Sequence, residues 1–215
     1  MNLHNYRYVV VEGPIGVGKT TLTQKIAAHI GAQVLLEQPE SNPFLEKFYA
    51  DQSRYALSTQ MFFLFQRVNQ LRSLSQTDLF DGSSAIVTDF LLDKDPIFAN
   101  LTLADEELKL YQQLYDHLRP QTPTPDLVIY LQAEPDTLIE RIKKRGIPME
   151  SGITLDYLKR LCESYSRFFY DYEAAPLLIV SNQHMDLSGN DGDFALLLDR
   201  IESMRGKREF FNRGE

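Results

Sequence analysis

The sequence predicts an α/β fold in which one parallel, five-stranded sheet carries helices on both faces. Three observations lead there. Short apolar runs rich in β-branched residues recur at 8–11, 34–36, 85–87, 127–131 and 177–180. Segments with helical spacing of apolar residues alternate with them. Strands buried on both faces read as continuous apolar runs, and the helices between them make the sheet parallel. The third observation is length: 215 residues suit one full-sized domain with its own core.

The elements follow in order. Strand 8–11 ends on Glu12 and a glycine-rich loop. Residues 20–30 place Leu22, Ile26, Ala27 and Ile30 at helical spacing and stop at Gly31, a residue suited to a helix C-terminus. Strand 34–36 ends at Glu37. Asn42 and Pro43 open a short helix holding Phe44, Leu45 and Phe48. A long helical pattern rich in Phe, Leu and Gln spans about 54–79. Strand 85–87 closes on Thr88 and Asp89. Residues 104–118 are amphipathic, with Leu108, Tyr111, Leu114, Tyr115 and Leu118 on one side. A proline-rich loop at 120–125 leads to strand 127–131. Pro135 sits in the first turn of a helix that runs to Arg145, before Gly146. Residues 146–152 form a connector, and a helix over about 155–172 precedes strand 177–180. A last helix covers about 193–204, and the polar stretch from about 205 is expected to be loosely held. No repeat or linker divides the chain, so 1–215 reads as a single domain.

Composition narrows the function. The net charge of −8 argues against a broad nucleic-acid surface, which would carry a basic excess; an anion must be held by local cations. The single cysteine, Cys162, excludes an internal disulfide framework and fits a reducing compartment. No apolar run approaches the ~20 residues that span a membrane, and 8–11 is too short for a signal core. The expectation is a cytoplasmic protein that binds neither membrane nor nucleic acid. Histidines 4, 29, 117 and 184 lack the spacing of zinc ligands.

The strongest motif is Gly13-Pro14-Ile15-Gly16-Val17-Gly18-Lys19-Thr20, which satisfies G-x-x-x-x-G-K-[ST] between a strand and a helix. Glycines there permit the positive φ values that turn successive N–H groups onto phosphate oxygens. Lys19 reaches the β- and γ-phosphates, and the Thr20 hydroxyl is a ligand for Mg²⁺. With Thr21 these residues make the expected ATP site. The fold expectation sharpens to a three-layer fold of the P-loop NTPase type.

Several further stretches, VVVEGPIGVGKTTL, LLEQPESNPFLEKFYADQSRYALSTQMFFLFQR, IVTDFLLDKDPIFA and VIYLQAEPDTLIERIKKRGIPMESGITLDYLKRL, together resemble the deoxynucleoside kinase family over about 8–182. That family moves the γ-phosphoryl of ATP to the 5′-hydroxyl of a deoxynucleoside. The resemblance implies Glu37 as general base, and Tyr49 with Glu150 as the pair holding the sugar 3′-hydroxyl. It implies Gln60, Arg67 and Asp95 as readers of the base edge. Gln60 and Arg67 lie two helical turns apart, on one face. Arg141 and Arg145, four apart on one helix, match lid arginines that close over the triphosphate, in a lid at about 141–153. Asp89 matches the acidic residue near Mg²⁺. Subunit pairing through long helices implies a homodimer. Phe62, Phe63 and Phe65 line either a base pocket, a core or a dimer seam.

Two departures stand out. The family's Asp/Glu-Arg-Ser becomes Asp89-Phe90-Leu91, so the arginine that approaches the 5′-oxygen and phosphates is missing; Lys94 is the candidate for its charge. The lid's Arg-x-Arg becomes Arg145-Gly146-Ile147. The favoured base stays open, with a lean to deoxyguanosine or deoxyadenosine, because bacterial-type members with this lid and the Asp93-Lys94-Asp95 segment tend that way. Two rivals stay open too. A nucleoside monophosphate kinase of thymidylate type needs extra arginines for its acceptor's phosphate, and 37–55 contains only Arg54. A GTP- or ATP-dependent switch should carry Asn-Lys-x-Asp, which does not occur, and an Asp-x-x-Gly switch directly after the third strand, where Asp89 is followed by Phe90-Leu91-Leu92.

Overall fold

A computed structural model describes residues 3–77, 85–183, 185–187 and 189–213. All the strand pairings are parallel, in one sheet of six strands ordered β2-β3-β1-β4-β5-β6. The strands are β1 (Tyr8–Glu12), β2 (Gln33–Leu35), β3 (Ile86–Thr88), β4 (Leu127–Gln132), β5 (Leu177–Ser181) and β6 (Arg208–Phe211). The five anticipated strands are present within a residue or two. The sixth corrects the count: β6 lies in the stretch read as a polar tail and pairs along β5 from Leu177↔Arg208 to Val180↔Phe211. Four residues with two charges among them carry no strand signal of their own; pairing with a buried neighbour supplies it.

Eight helices cover this sheet among the described residues: α1 (Lys19–Ile30), α2 (Leu45–Ala50), α3 (Gln52–Thr77), α4 (Asp95–Thr102), α5 (Asp105–Leu118), α6 (Pro135–Arg145), α7 (Leu155–Asp171) and α8 (Asp191–Ser203). The end anticipated for α3 near residue 79 falls outside the described residues. α4 went unanticipated because two turns are too short to display a helical period; Pro96 sits in its first turn and fixes the start. The aromatic face of α7 covers β4, where Tyr130 and Phe169 stack at 4.1 Å between centroids. Among the described residues no helix is long and apolar enough to cross a membrane.

From β1 the chain builds β2 and β3 on one side and β4, β5 and β6 on the other. The carboxyl end of β1 is therefore the topological switch point, where an open parallel sheet leaves a crevice for ligands.

Candidate active site

That crevice begins with the glycine-rich loop. Gly18 takes φ 101°, a left-handed conformation that only glycine adopts without strain, and caps α1. Lys19 opens the helix, and its Nζ donates to the carbonyls of Gly13 at 2.8 Å and Pro14 at 3.2 Å. Burial lowers the Lys19 pKa and the neighbouring Lys94 ammonium adds to this, against the pull of Glu12, Glu37 and Asp89. Thr20 Oγ1 donates to Asp89 Oδ2 at 2.6 Å, while Asp89 Oδ1 accepts the Glu37 N–H at 2.7 Å. Asp89, just past β3, thus ties the helix start to the end of the second strand. Thr21 is exposed one residue further along α1. The Thr20 hydroxyl and Asp89 carboxylate are the hard oxygens Mg²⁺ takes, and that ion needs only one or two from protein. Among the described residues no cluster of three or more His, Cys, Asp or Glu forms a metal cage.

Beside the loop lies a cavity, part of it open to solvent. Lys19, Thr20, Glu37, Tyr49, Gln60, Arg67, Asp89, Lys94, Arg145 and Glu150 all line it. With Ile15 and Gly16 of the loop, these residues named from sequence share one chamber, drawn from stretches as far apart as α1 and the connector after α6. Asp95 does not line it. It is buried behind Arg67, whose Nη1 it accepts. The same guanidinium donates through Nε to Glu37 Oε1 at 2.7 Å, and Nη2 bonds that oxygen too. Burial alone would raise the Glu37 pKa, but Arg67, Lys94 and Lys19 outweigh it and hold the carboxyl at about 2. Phe63 packs under Arg67, 4.8 Å from ring centroid to guanidinium, and lines the cavity, whereas Phe65 is exposed. Arg54, the one arginine of 37–55, stacks over Tyr55 and does not line the chamber.

The two arginines of α6 part company. Arg145 reaches the cavity and its Nη2 donates to both oxygens of Glu150 at 2.7 Å. Arg141 turns the other way, donating to the Val17 carbonyl at 3.4 Å and the Asn182 carbonyl at 3.1 Å. It lines a second hollow with Gly16, Gly18, Asn182, Met185 and Leu187, on the far side of the phosphate loop. Four-residue spacing put them on one side of the helix, but Arg145 is its last residue and follows the chain's turn at Gly146. In the connector, Gly152 packs so closely on α2 that a Cβ there would meet the Tyr49 carbonyl oxygen at 2.9 Å.

Phe90, at the position of the missing arginine, is fully buried in the core. Lys94 instead enters the site from a 3-10 turn, Leu92–Lys94. Its Nζ lies 3.3 Å from Glu12 Oε2 and 3.4 Å from Glu37 Oε2. Glu12, Tyr165 and Asn182 are among the site-lining or site-supporting residues that sequence reading passed over, as are Thr59, Phe98 and Tyr157. Only Glu12 offered a signal, a carboxylate ending a run that is otherwise wholly apolar.

Comparison with known proteins fits this geometry. The chain matches the deoxynucleoside kinase family over residues 9–204. It is 36% identical over 201 residues to deoxyguanosine kinase of Bacillus subtilis, covering 92% of this chain and 97% of that protein. It is 33% identical over 192 residues to deoxyadenosine kinase of Lactobacillus acidophilus, covering 85% and 88% respectively. The structure of deoxyadenosine kinase from M. mycoides with bound dATP superposes with a TM-score of 0.79 at 26% identity, over 91% of this chain and 100% of that one. By sequence and by fold, the chain belongs to the deoxynucleoside kinase family.

Proposed function

We propose that the protein uses ATP and Mg²⁺ to phosphorylate the 5′-hydroxyl of a purine deoxynucleoside, deoxyguanosine or deoxyadenosine, in nucleotide salvage. The observation that carries this reading is the placing of the Glu37 carboxylate in one chamber wall with Lys19, Thr20 and Arg67. The relatives named above, a deoxyguanosine and a deoxyadenosine kinase, support the purine lean. In this reading the phosphate loop grips the triphosphate in a three-layer fold of the P-loop NTPase type. The hollow beside Arg141 takes the donor's base, with the guanidinium over it. Gln60 and Arg67 read the acceptor base while Asp95 fixes Arg67 from behind. Tyr49 and Glu150 hold the 3′-hydroxyl, which both donates and accepts.

Glu37 then takes the 5′-hydroxyl proton as the 5′-oxygen bonds to the γ-phosphorus and the bond to the bridging oxygen of ADP breaks. Phosphoryl transfer through a loose transition state asks little basicity of the carboxylate, so its placement matters most. Thr20 and Asp89 would hold Mg²⁺, which supplies charge neutralisation at the phosphates. Lys94 supplies the cation that Phe90 cannot, and Arg145 closes from a lid at about 141–153. One domain, a homodimer and a cytoplasmic setting complete the proposal. An ATP-coupled assay across the four deoxynucleosides and their monophosphates tests it. Turnover of a purine deoxynucleoside is expected; turnover of monophosphates alone would overturn the acceptor, and so would ATP hydrolysis indifferent to any acceptor.

Two smaller predictions arise here. Gly152→Ala drives the connector off Tyr49 and displaces Glu150, so the acceptor KM should rise about tenfold while kcat changes less. Steady-state kinetics at saturating ATP measures this, and an unmoved KM would detach the connector from the acceptor. The second concerns pH. Because Glu37 is depressed to about 2, it is ionised in the free enzyme throughout the working range. Acceptor kcat/KM should therefore show no loss from this group between about pH 8 and about pH 5. The same depression stabilises the fold above the unfolded value of 4.5, and that contribution is lost as pH falls from there through about 2.

A further inference from the structure

Glu12 is wholly buried, yet no step above uses it. Its Oε1 accepts the Gly13 N–H at 2.7 Å and the Tyr165 hydroxyl at 3.1 Å. Its Oε2 accepts the Leu91 N–H at 2.8 Å and faces Lys94 Nζ at 3.3 Å. One carboxylate thus joins the start of the phosphate loop, the segment after β3, the turn carrying Lys94, and α7. A carboxylate has about four acceptor sites, and these four partners fill them. Three neutral donors anchor it, so its position does not depend on the lysine.

Lys94 is equally enclosed, 2% exposed, between Glu12 and Glu37. Two carboxylates at near-equal range pull the ammonium from opposite partners. With Glu37 alone the ammonium would close to the ~2.8 Å of a charge-assisted bond and lie on the base. Held also by Glu12, it stays at 3.4 Å from Glu37, in the chamber wall. An ammonium has three donors, so one is left for an oxygen entering the chamber.

We propose that Glu12 is a positioning residue: it keeps the Lys94 ammonium from closing down onto Glu37, leaves one of its donors aimed at the transferring phosphoryl group, and acts on the reaction only through Lys94. This rests on the role given to Lys94 above. The test is a double-mutant cycle in the full chain with ATP and deoxyguanosine or deoxyadenosine, comparing Glu12→Gln, Lys94→Met and the pair. Lys94→Met should lower kcat about a hundredfold, the scale of one lost transition-state donor. Glu12→Gln should lower kcat about ten- to a hundredfold with KM nearly unchanged, and the double variant should be no slower than Lys94→Met, the coupling of two residues acting as a unit.

Losses that multiply in the double variant would overturn the proposal, as would a Glu12→Gln enzyme within about twofold of the parent. A near-normal Lys94→Met enzyme would sink both Lys94 and Glu12 while leaving ATP-dependent phosphorylation and the role of Glu37 standing, so the two failures are distinguishable. If Glu12→Gln does not fold, Tyr165→Phe removes one anchor without touching a charge. It should cost several-fold in kcat in the parent and nothing in the Lys94→Met background, and an equal cost in both overturns the proposal.

Discussion

Lys19→Met is expected to lower kcat by about a thousandfold, at the upper end for a single electrostatic stabiliser in a closed site. The ammonium is the first residue of α1, and its present partners are two carbonyls of its own loop. Those bonds hold it at the positive end of a helix, where the proposed reading places the β- and γ-oxygens. In the proposed reaction, negative charge moving toward the bridging oxygen of ADP would meet a lysine and loop N–H groups already oriented, with no reorganisation left to do. Stability should change little. Methionine keeps most of the apolar stem, and the change removes a cation that burial and Lys94 both disfavour. Steady-state kcat beside a thermal melt separates the two effects. A turnover within about threefold of the parent would show that the triphosphate is gripped elsewhere, and the reading of the loop would be withdrawn.

The glycine-rich loop was legible because it is local: strand, glycines, lysine and hydroxyl are consecutive, so their spacing alone places them. The four interior strands β1, β3, β4 and β5 were legible for a similar reason, since burial on both faces leaves an uninterrupted apolar run. Glu37, Gln60 and Glu150 were nameable only through resemblance, because they come to one cavity through tertiary packing that no spacing encodes, whereas Lys94 was picked out by its nearness in sequence to the missing arginine. What stayed hidden followed the same physics. Strand β6 exists because β5 offers it a ladder. The divergence of Arg141 and Arg145 is set by where α6 ends and by carbonyls 41 and 124 residues away in the chain. The buried pairing of Lys94 with Glu12 needs the end of β1 to lie beside the turn after β3, a contact across the sheet's switch point. A sequence reading could register that an arginine was missing at Phe90 and name Lys94 as the candidate for its charge; only the fold shows that position 90 is closed core and that Lys94 enters the cavity from a 3-10 turn.

Glu37→Gln should be the companion defect, lowering kcat by about a hundred- to ten-thousandfold, the range for a lost general base. The substitution is nearly isosteric and leaves each surrounding cation with a carboxylate: Arg67 keeps Asp95, and Lys94 keeps Glu12. The chamber should therefore hold its shape, and acceptor KM should move far less than kcat. A pKa of about 2 makes Glu37 a poor base in equilibrium terms, and this sharpens the test. If proton removal trails phosphorus–oxygen bond breaking, as a loose transition state implies, the carboxylate acts by orienting the 5′-hydroxyl and receiving its proton late. Glutamine still offers an oxygen for orientation but cannot take the proton. A loss near the bottom of the range would assign most of the effect to orientation, and one near the top would assign it to proton transfer. Turnover close to the parent's, with the thermal melt unchanged, would remove Glu37 from the reaction altogether and leave Arg67 and Lys94 as a structural charge cluster beside an ATP site.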